Sequence, residues 1–249
     1  MFERIRNYGW FAKGYLWMRN QDLVVLLLML GAVLGLWGFF ELADAVMEGS
    51  TRALDDRVLM LFREAGNPAD PIGPLWLEDM VRDMTALGGV TVLLVITIAV
   101  SGFVLLQRQH HAFWLMLGAI GGGVALNLLL KGAIDRPRPE LVPHLSYVAT
   151  ASFPSGHSML SAVVYLTLAA LLARLVATTR LKLYVIGVAL FFTFLVGVSR
   201  VYLGVHYPTD VLAGWTLGLL WAVICWLTAR FLQRQGKVER PEKASGQKE

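Results

Sequence analysis

Three short polar clusters hold most of the side chains able to do chemistry in this 249-residue sequence. The first is Lys131-Gly-Ala-Ile-Asp-Arg-Pro-Arg138-Pro139, and the second is Pro154-Ser155-Gly156-His157. The third is Ser199-Arg200, then five residues, His206, then three residues, Asp210. Lys131, Arg138 and Arg200 suit phosphoryl oxygens, arginine as a planar fork and lysine as a point charge. Together they could neutralise a phosphoryl group and hold the extra charge of its transition state. Arg136 could serve as well. Ser155 and Gly156 would set a hydroxyl and backbone amides at a helix N-terminus, where the dipole favours an anion and glycine permits close approach. His157, beside that anion, is suited to protonate a leaving oxygen. His206 and Asp210 are four apart, which can put both on one helical face. A carboxylate fixing one ring nitrogen leaves the other as nucleophile or base. Each cluster alone has a plainer reading: snorkelling cations, an ordinary turn, a buried hydrogen bond or a metal site. A metal is disfavoured because no further His or Cys accompanies the pair and its neighbours are cations.

The elements that must position these clusters are apolar. With 56% hydrophobic residues, 16% charged and a mean hydropathy of +0.58, the chain is too apolar for an ordinary soluble enzyme. Its net charge of +4 is scattered between apolar runs, which argues against nucleic-acid binding. A lone Cys225 excludes an intrachain disulfide framework and reads as a packing residue. Residues 23–40 run without a charge, about 18 residues, enough to cross ~30 Å of hydrocarbon. The Ala43-Asp44-Ala45 that follows has the small-x-small look of a cleavage site, but a secretory core is shorter, ~7–15 residues. A retained span is therefore expected. Five more spans are expected over residues 90–106, 112–130, 158–176, 183–198 and 211–232. The fold class is all-α, a six-span membrane protein. Residues 1–232 form one membrane-embedded domain, and 233–249 a disordered cytoplasmic tail.

Around this frame, residues 1–21 interleave basic and aromatic side chains and read as an interfacial segment. Between the first two spans, Leu77, Met80, Val81 and Met84 recur at helical spacing opposite Glu78, Arg82 and Asp83. This predicts an amphipathic helix that lies on the membrane or caps the bundle, after a loop marked by Pro68, Pro71 and Pro74. Its role is packing or the admission of lipid. Gly121-Gly122-Gly123 predicts close helix packing, and Asn127 an interhelical hydrogen bond or support for Lys131.

Positive charges set the orientation. The basic residues before span one, Arg108, then Arg174, Arg180 and Lys182, and the basic residues after span six all fall on one side, expected to be cytoplasmic. The opposite cluster of Lys131, Arg136 and Arg138 breaks that rule, and a bound anion supplies a reason. An even number of spans separates His157 from His206, so all three clusters are expected on the extracytoplasmic face. His110, His111 and His144 are given no catalytic part, the first two because they fall on the other side.

In order and spacing, Lys-x6-Arg-Pro, Pro-Ser-Gly-His and Ser-Arg-x5-His-x3-Asp resemble the tripartite signature of the type-2 phosphatidic acid phosphatase superfamily. That family includes bacterial lipid phosphate phosphatases and undecaprenyl pyrophosphate phosphatases. The resemblance implies that His206 attacks phosphorus to form a phosphohistidine, with Asp210 orienting it. It implies that His157 protonates the leaving oxygen and later activates water. Lys131, Arg138, Arg200, Ser155 and Gly156, with help from Ser199, would bind the phosphoryl oxygens. No cofactor or metal is implied. The partners are a lipid phosphate substrate and membrane lipids, in a bacterial inner membrane with both termini cytoplasmic. Undecaprenyl pyrophosphate, phosphatidylglycerol phosphate, phosphatidic acid and lipid A phosphate are the candidate substrates, and pocket shape would decide among them. Rival readings are a phosphotransferase using the same intermediate, a non-catalytic lipid-binding or flipping protein, and a vanadium haloperoxidase, whose known representatives are soluble. Oligomeric state is not legible in the sequence.

Overall fold

The computed structural model describes residues 23–146 and 150–235. The expected interfacial segment, and residues 236–249 of the expected tail, lie outside them. In chain order the described residues form α1 (Leu23–Met47), α2 (Arg52–Met60), strands β1 (Arg63–Glu64) and β2 (Asn67–Pro71), α3 (Leu75–Ala86) and α4 (Val90–Leu106). They continue as α5 (His110–Ala133), α6 (Gly156–Leu175), α7 (Thr179–Tyr202) and α8 (Pro208–Arg234). The strands pair antiparallel, Arg63 opposite Pro71 and Glu64 opposite Asn67, with a bulge between the two pairs.

Helices α1, α5, α6, α7 and α8 are each long and apolar enough to cross a bilayer. The sixth crossing is shorter. At ~1.5 Å per residue the 17 residues of α4 reach about 25 Å, less than the ~30 Å of a hydrocarbon core. Helix α3 continues it across a 47° bend at Leu87–Gly89. The amphipathic segment expected before span two forms as α3, joined to α4 at that bend. Its buried Val81 joins Tyr202, Leu203 and Val205 in one apolar cluster.

Helix α6 packs against α4, α5, α7 and α8, while α1 lies along α8. On α1, Leu27, Leu30, Val33 and Trp37 are exposed and face lipid, whereas Phe39 turns inward onto Phe153 with ring centroids 6.0 Å apart. The glycine triplet acts as its composition predicts at two of three positions. A Cβ on Gly122 would collide with Trp221, and one on Gly123 would meet Val163 at 2.9 Å, whereas Gly121 has open space.

The structure differs from the sequence reading chiefly before α3. Helix α1 continues through residues 41–47, assigned above to the connection. That connection folds as α2 and the hairpin. Pro68 and Pro71 lie in β2, and Pro74 precedes α3 in an extended conformation. Helix α2 is too short and too charged for periodicity to reveal. It is held by Leu59, fully buried with Val142, Val201 and Val211. Buried Arg63 donates from Nη1 to the carbonyls of Phe62 and Tyr202, at 3.0 and 2.9 Å, and so caps the C-terminus of α7. Burial lowers its pKa, against the opposing pull of Tyr202 and Glu78. At the other end, α8 runs to Arg234, so residues 233 and 234 of the expected tail are helical.

Candidate active site

Each polar cluster sits where an apolar helix begins or ends, all at one end of the bundle. Lys131 lies in the last turn of α5, Gly156 and His157 in the first turn of α6, Arg200 near the end of α7, and Asp210 in the first turn of α8. The turn that presents His206 is built by its neighbours. Val205 N–H and His206 N–H both donate to the Arg200 carbonyl, at 3.2 and 3.3 Å. Gly204 takes φ +71°, and a Cβ there would also meet Arg63 Nη2 at 2.7 Å. Pro208 at the first helical position suits an N–H-free start to α8. Asp210 then reaches back to accept the Tyr207 N–H at 2.9 Å.

His206 is buried between an acid and a base. Its Nδ1 lies 3.5 Å from Asp210 Oδ2, and its Nε2 lies 3.2 Å from Arg138 Nη1. Burial lowers its pKa to about 4; Asp210 opposes this, and Arg138 and Arg200 add to it. The imidazole is thus neutral at neutral pH. These partners assign the proton to Nδ1, facing Asp210, and the lone pair to Nε2. A neutral ring with one oriented lone pair can attack phosphorus.

Cations gather at this site, and Arg138 and Arg200 both act on His206. Arg138 donates to the Val205 carbonyl at 2.6 Å and to the Thr150 carbonyl at 2.9 Å, and burial lowers its pKa against the opposing charge of Asp210. Lys131 Nζ donates to Thr150 Oγ1 at 3.0 Å and to the Ala151 carbonyl at 2.8 Å. Arg200 Nη1 donates to Thr85 Oγ1 at 2.9 Å, while its buried Nε has no hydrogen-bond partner among the described residues. The charges of Arg200, Lys131 and Arg138 all act on His157, as does His206. Gly156 permits this crowding, since a Cβ there would stand 3.2 Å from Asn127 Oδ1 and 3.5 Å from Lys131 Cε. Five of the expected residues, Lys131, Arg138, His157, Arg200 and His206, therefore form one electrostatically coupled group, with Asp210 behind it. Partly or wholly buried cations without a matching anion are costly, and a phosphoryl dianion has the charge and oxygens to satisfy them.

Three residues, Arg136, Ser199 and Ser155, are used differently from the simplest sequence reading, while Asn127 is used as that reading expects. Arg136, an alternative phosphate ligand by its type, is instead committed to two carboxylates, Asp55 and Asp210. Ser199 donates its hydroxyl to the Val196 carbonyl of its own helix at 2.6 Å. Ser155 caps α6, its hydroxyl accepting from Ser158 N–H and Ser158 Oγ. Asn127 makes the interhelical contact, donating to Met159 Sδ at 3.6 Å. His144 bonds the Pro139 carbonyl, and His110 and His111 begin α5, at the opposite end. Among the described residues no group of three His, Cys, Asp or Glu side chains could hold a metal ion.

Sequence reasoning missed Thr85, Ser152, Thr209 and Asp55. Ser152 donates its hydroxyl to Asp210 Oδ2. Its place two residues before Pro154 was the available hint. Asp55 accepts from the Thr209 N–H and hydroxyl at 3.0 and 2.7 Å, from 154 residues away, and nothing local signals that pairing.

A profile of the PAP2 superfamily matches residues 112–234 of the chain. Phosphatidylglycerophosphatase B of Bacillus subtilis is 36% identical over 183 residues, which cover 73% of this chain and 86% of that protein. The undecaprenyl-diphosphatase of Sulfolobus acidocaldarius is 39% identical over 67 residues, 27% of this chain and 28% of that one. Among solved structures, the transmembrane PAP2-type phosphatidylglycerolphosphate phosphatase of Bacillus subtilis superposes with a TM-score of 0.72 at 32% identity. That match covers 82% of this chain and 98% of the other.

Proposed function

The chain belongs to the PAP2 superfamily, and from that membership we propose that it is an integral membrane lipid phosphatase working through a phosphohistidine. The observation that carries this reading is His206: neutral, buried, backed by Asp210 on Nδ1, with its other nitrogen turned toward Arg138. Phosphorus would be attacked by His206 Nε2 while the ester or anhydride bond to the lipid oxygen breaks. His157 would protonate that oxygen, then take a proton from the water that cleaves the phosphorus–nitrogen bond. Arg138, Arg200 and Lys131 would hold the three equatorial oxygens, whose charge is greatest in the transition state. The phosphoryl group would displace the contact between Arg138 Nη1 and His206 Nε2. No metal takes part in this scheme.

Phosphatidylglycerol phosphate leads among substrates, supported by the likeness of most of this chain to phosphatidylglycerol phosphate phosphatases of Bacillus subtilis. The reading also puts the site on the extracytoplasmic face. Supporting this, Arg108, Arg174, Arg180 and Arg230 lie at or beside the helix ends remote from it.

The test is inorganic phosphate release by the detergent-purified protein from phosphatidylglycerol phosphate, undecaprenyl pyrophosphate, phosphatidic acid and lipid A phosphate. Release is expected, fastest from the first and resistant to EDTA. Silence on all four by folded protein would contradict the proposal, and EDTA inhibition reversed by Mg²⁺ would contradict its metal independence.

A further inference from the structure

Behind Asp210 lies a second buried carboxylate. Asp55, on the short α2, is fully buried, and its Oδ2 accepts from Arg136 Nη2 at 2.7 Å. The other prong of that guanidinium, Nη1, donates to Asp210 Oδ1 and to Thr209 Oγ1 at 2.8 Å. Arg136 stacks over the Tyr207 ring at 4.3 Å, and Arg52 also lies over that ring, at 5.1 Å. Burial opposes the charge on Arg136, but Asp210 and Asp55 outweigh it, and its pKa is raised. The result is a continuous chain of contacts, Asp55 to Arg136 to Asp210 to His206, drawn from three separate parts of the sequence.

We propose that Asp55, acting through Arg136, is a positioning residue for the His206–Asp210 pair; the proposal rests on the nucleophile role of His206 given above. Asp55 also caps the N-terminus of α8 through Thr209, and a cap would suffice to explain a buried acid. It does not explain the third hydrogen bond, to a guanidinium whose remaining prong grips the catalytic carboxylate. The chemistry of sharing is what matters. A guanidinium held by Asp210 alone would form a neutral pair and weaken the negative field at His206 Nδ1. Divided between two carboxylates, the same guanidinium fixes Asp210 by its planar fork and leaves one net negative charge in the network. That charge stabilises the imidazole as it becomes positive on attacking phosphorus, the part an aspartate plays behind a catalytic histidine.

The experiment compares Asp55→Asn with wild type and with His206→Ala on one lipid phosphate substrate, with thermal unfolding followed in the same detergent. Asparagine keeps the size of Asp55 and an acceptor for Thr209, so a cap survives where the charge does not. The expected result is kcat lower by about 10–100-fold, by analogy with the loss of a group that orients a metal-bound imidazole, with KM within about threefold because Asp55 does not touch substrate. Should Asp55→Asn unfold, Arg136→Lys takes its place with the same split expected, since an ammonium keeps the charge but cannot fork between two carboxylates. A folded variant with wild-type kcat would overturn the proposal, as would a raised KM with kcat unchanged. If His206→Ala itself turns over, the underlying reading fails. If His206→Ala is inactive while Asp55→Asn is fully active, only the positioning role fails.

Discussion

At the scale of single residues, the site works by setting protonation in advance. A histidine has an ordinary pKa near 6.5, and a nucleophile with that value would be partly protonated in mildly acidic water. Burial brings His206 to about 4, against the raising effect of Asp210, so the neutral form persists. The sign follows directly: protonation removes the lone pair, so the contribution of His206 is intact above its lowered pKa and lost as pH falls through about 4. The acid limb of kcat/KM, after allowance for the substrate's own ionisation, should therefore lie well below 6.5. A limb at 6.5 or above that follows His206 would show that the ring is solvated and not held as described. The residue types and their spacing announced this pair, although His206 precedes the cap of α8 and the turn, not a shared helical face, brings it to Asp210. The tautomer was not legible, since it depends on Arg138, 68 residues away.

At the scale of elements, the connection between the first two spans does more than cap the bundle. Helix α2 delivers Asp55, and α3 delivers Thr85, whose hydroxyl accepts from Arg200 Nη1. The bend after α3 sits against the site as well: Tyr165 Oη donates to the Leu87 carbonyl at 2.6 Å, and a Cβ on Gly88 would approach the His157 carbonyl to 3.3 Å. Thr85→Val should keep the packing and remove the acceptor, leaving Arg200 freer to turn from the phosphate it is proposed to hold. The expected loss in kcat/KM is about tenfold, the equivalent of ~1.4 kcal/mol, with Thr85→Ser close to wild type. Equal activity in valine and serine variants would reduce Thr85 to packing. Periodicity exposed α3, because half-buried Leu77 and buried Val81 lie on one inward face. It could not expose the Thr85–Arg200 bond, which joins residues 115 apart. Helix α2 was invisible for another reason: its nine residues bury an aspartate where periodicity looks for a leucine.

At the scale of the molecule, apolar runs fixed by bilayer thickness carried most of the architecture, and the helix ends ran only a few residues beyond those runs. Counting spans was enough to bring the three clusters together, since an even number of crossings returns the chain to the same side. The orientation of that end is open to a direct check. In a Cys225→Ala background, Glu140→Cys at the site end should react with a membrane-impermeant thiol reagent in intact spheroplasts. Lys182→Cys at the other end should react only after permeabilisation, and the reverse pattern would invert the topology. The central claim is covalent: phosphorus passes through His206. The most direct measurement is an alkaline quench, milliseconds after mixing protein with a lipid phosphate carrying labelled phosphorus. Label should remain on the wild-type protein, survive alkali, be lost in acid as a phosphoramidate is, and be absent from folded His206→Ala. Label retained by His206→Ala, or turnover by that variant at the wild-type rate, would contradict the mechanism.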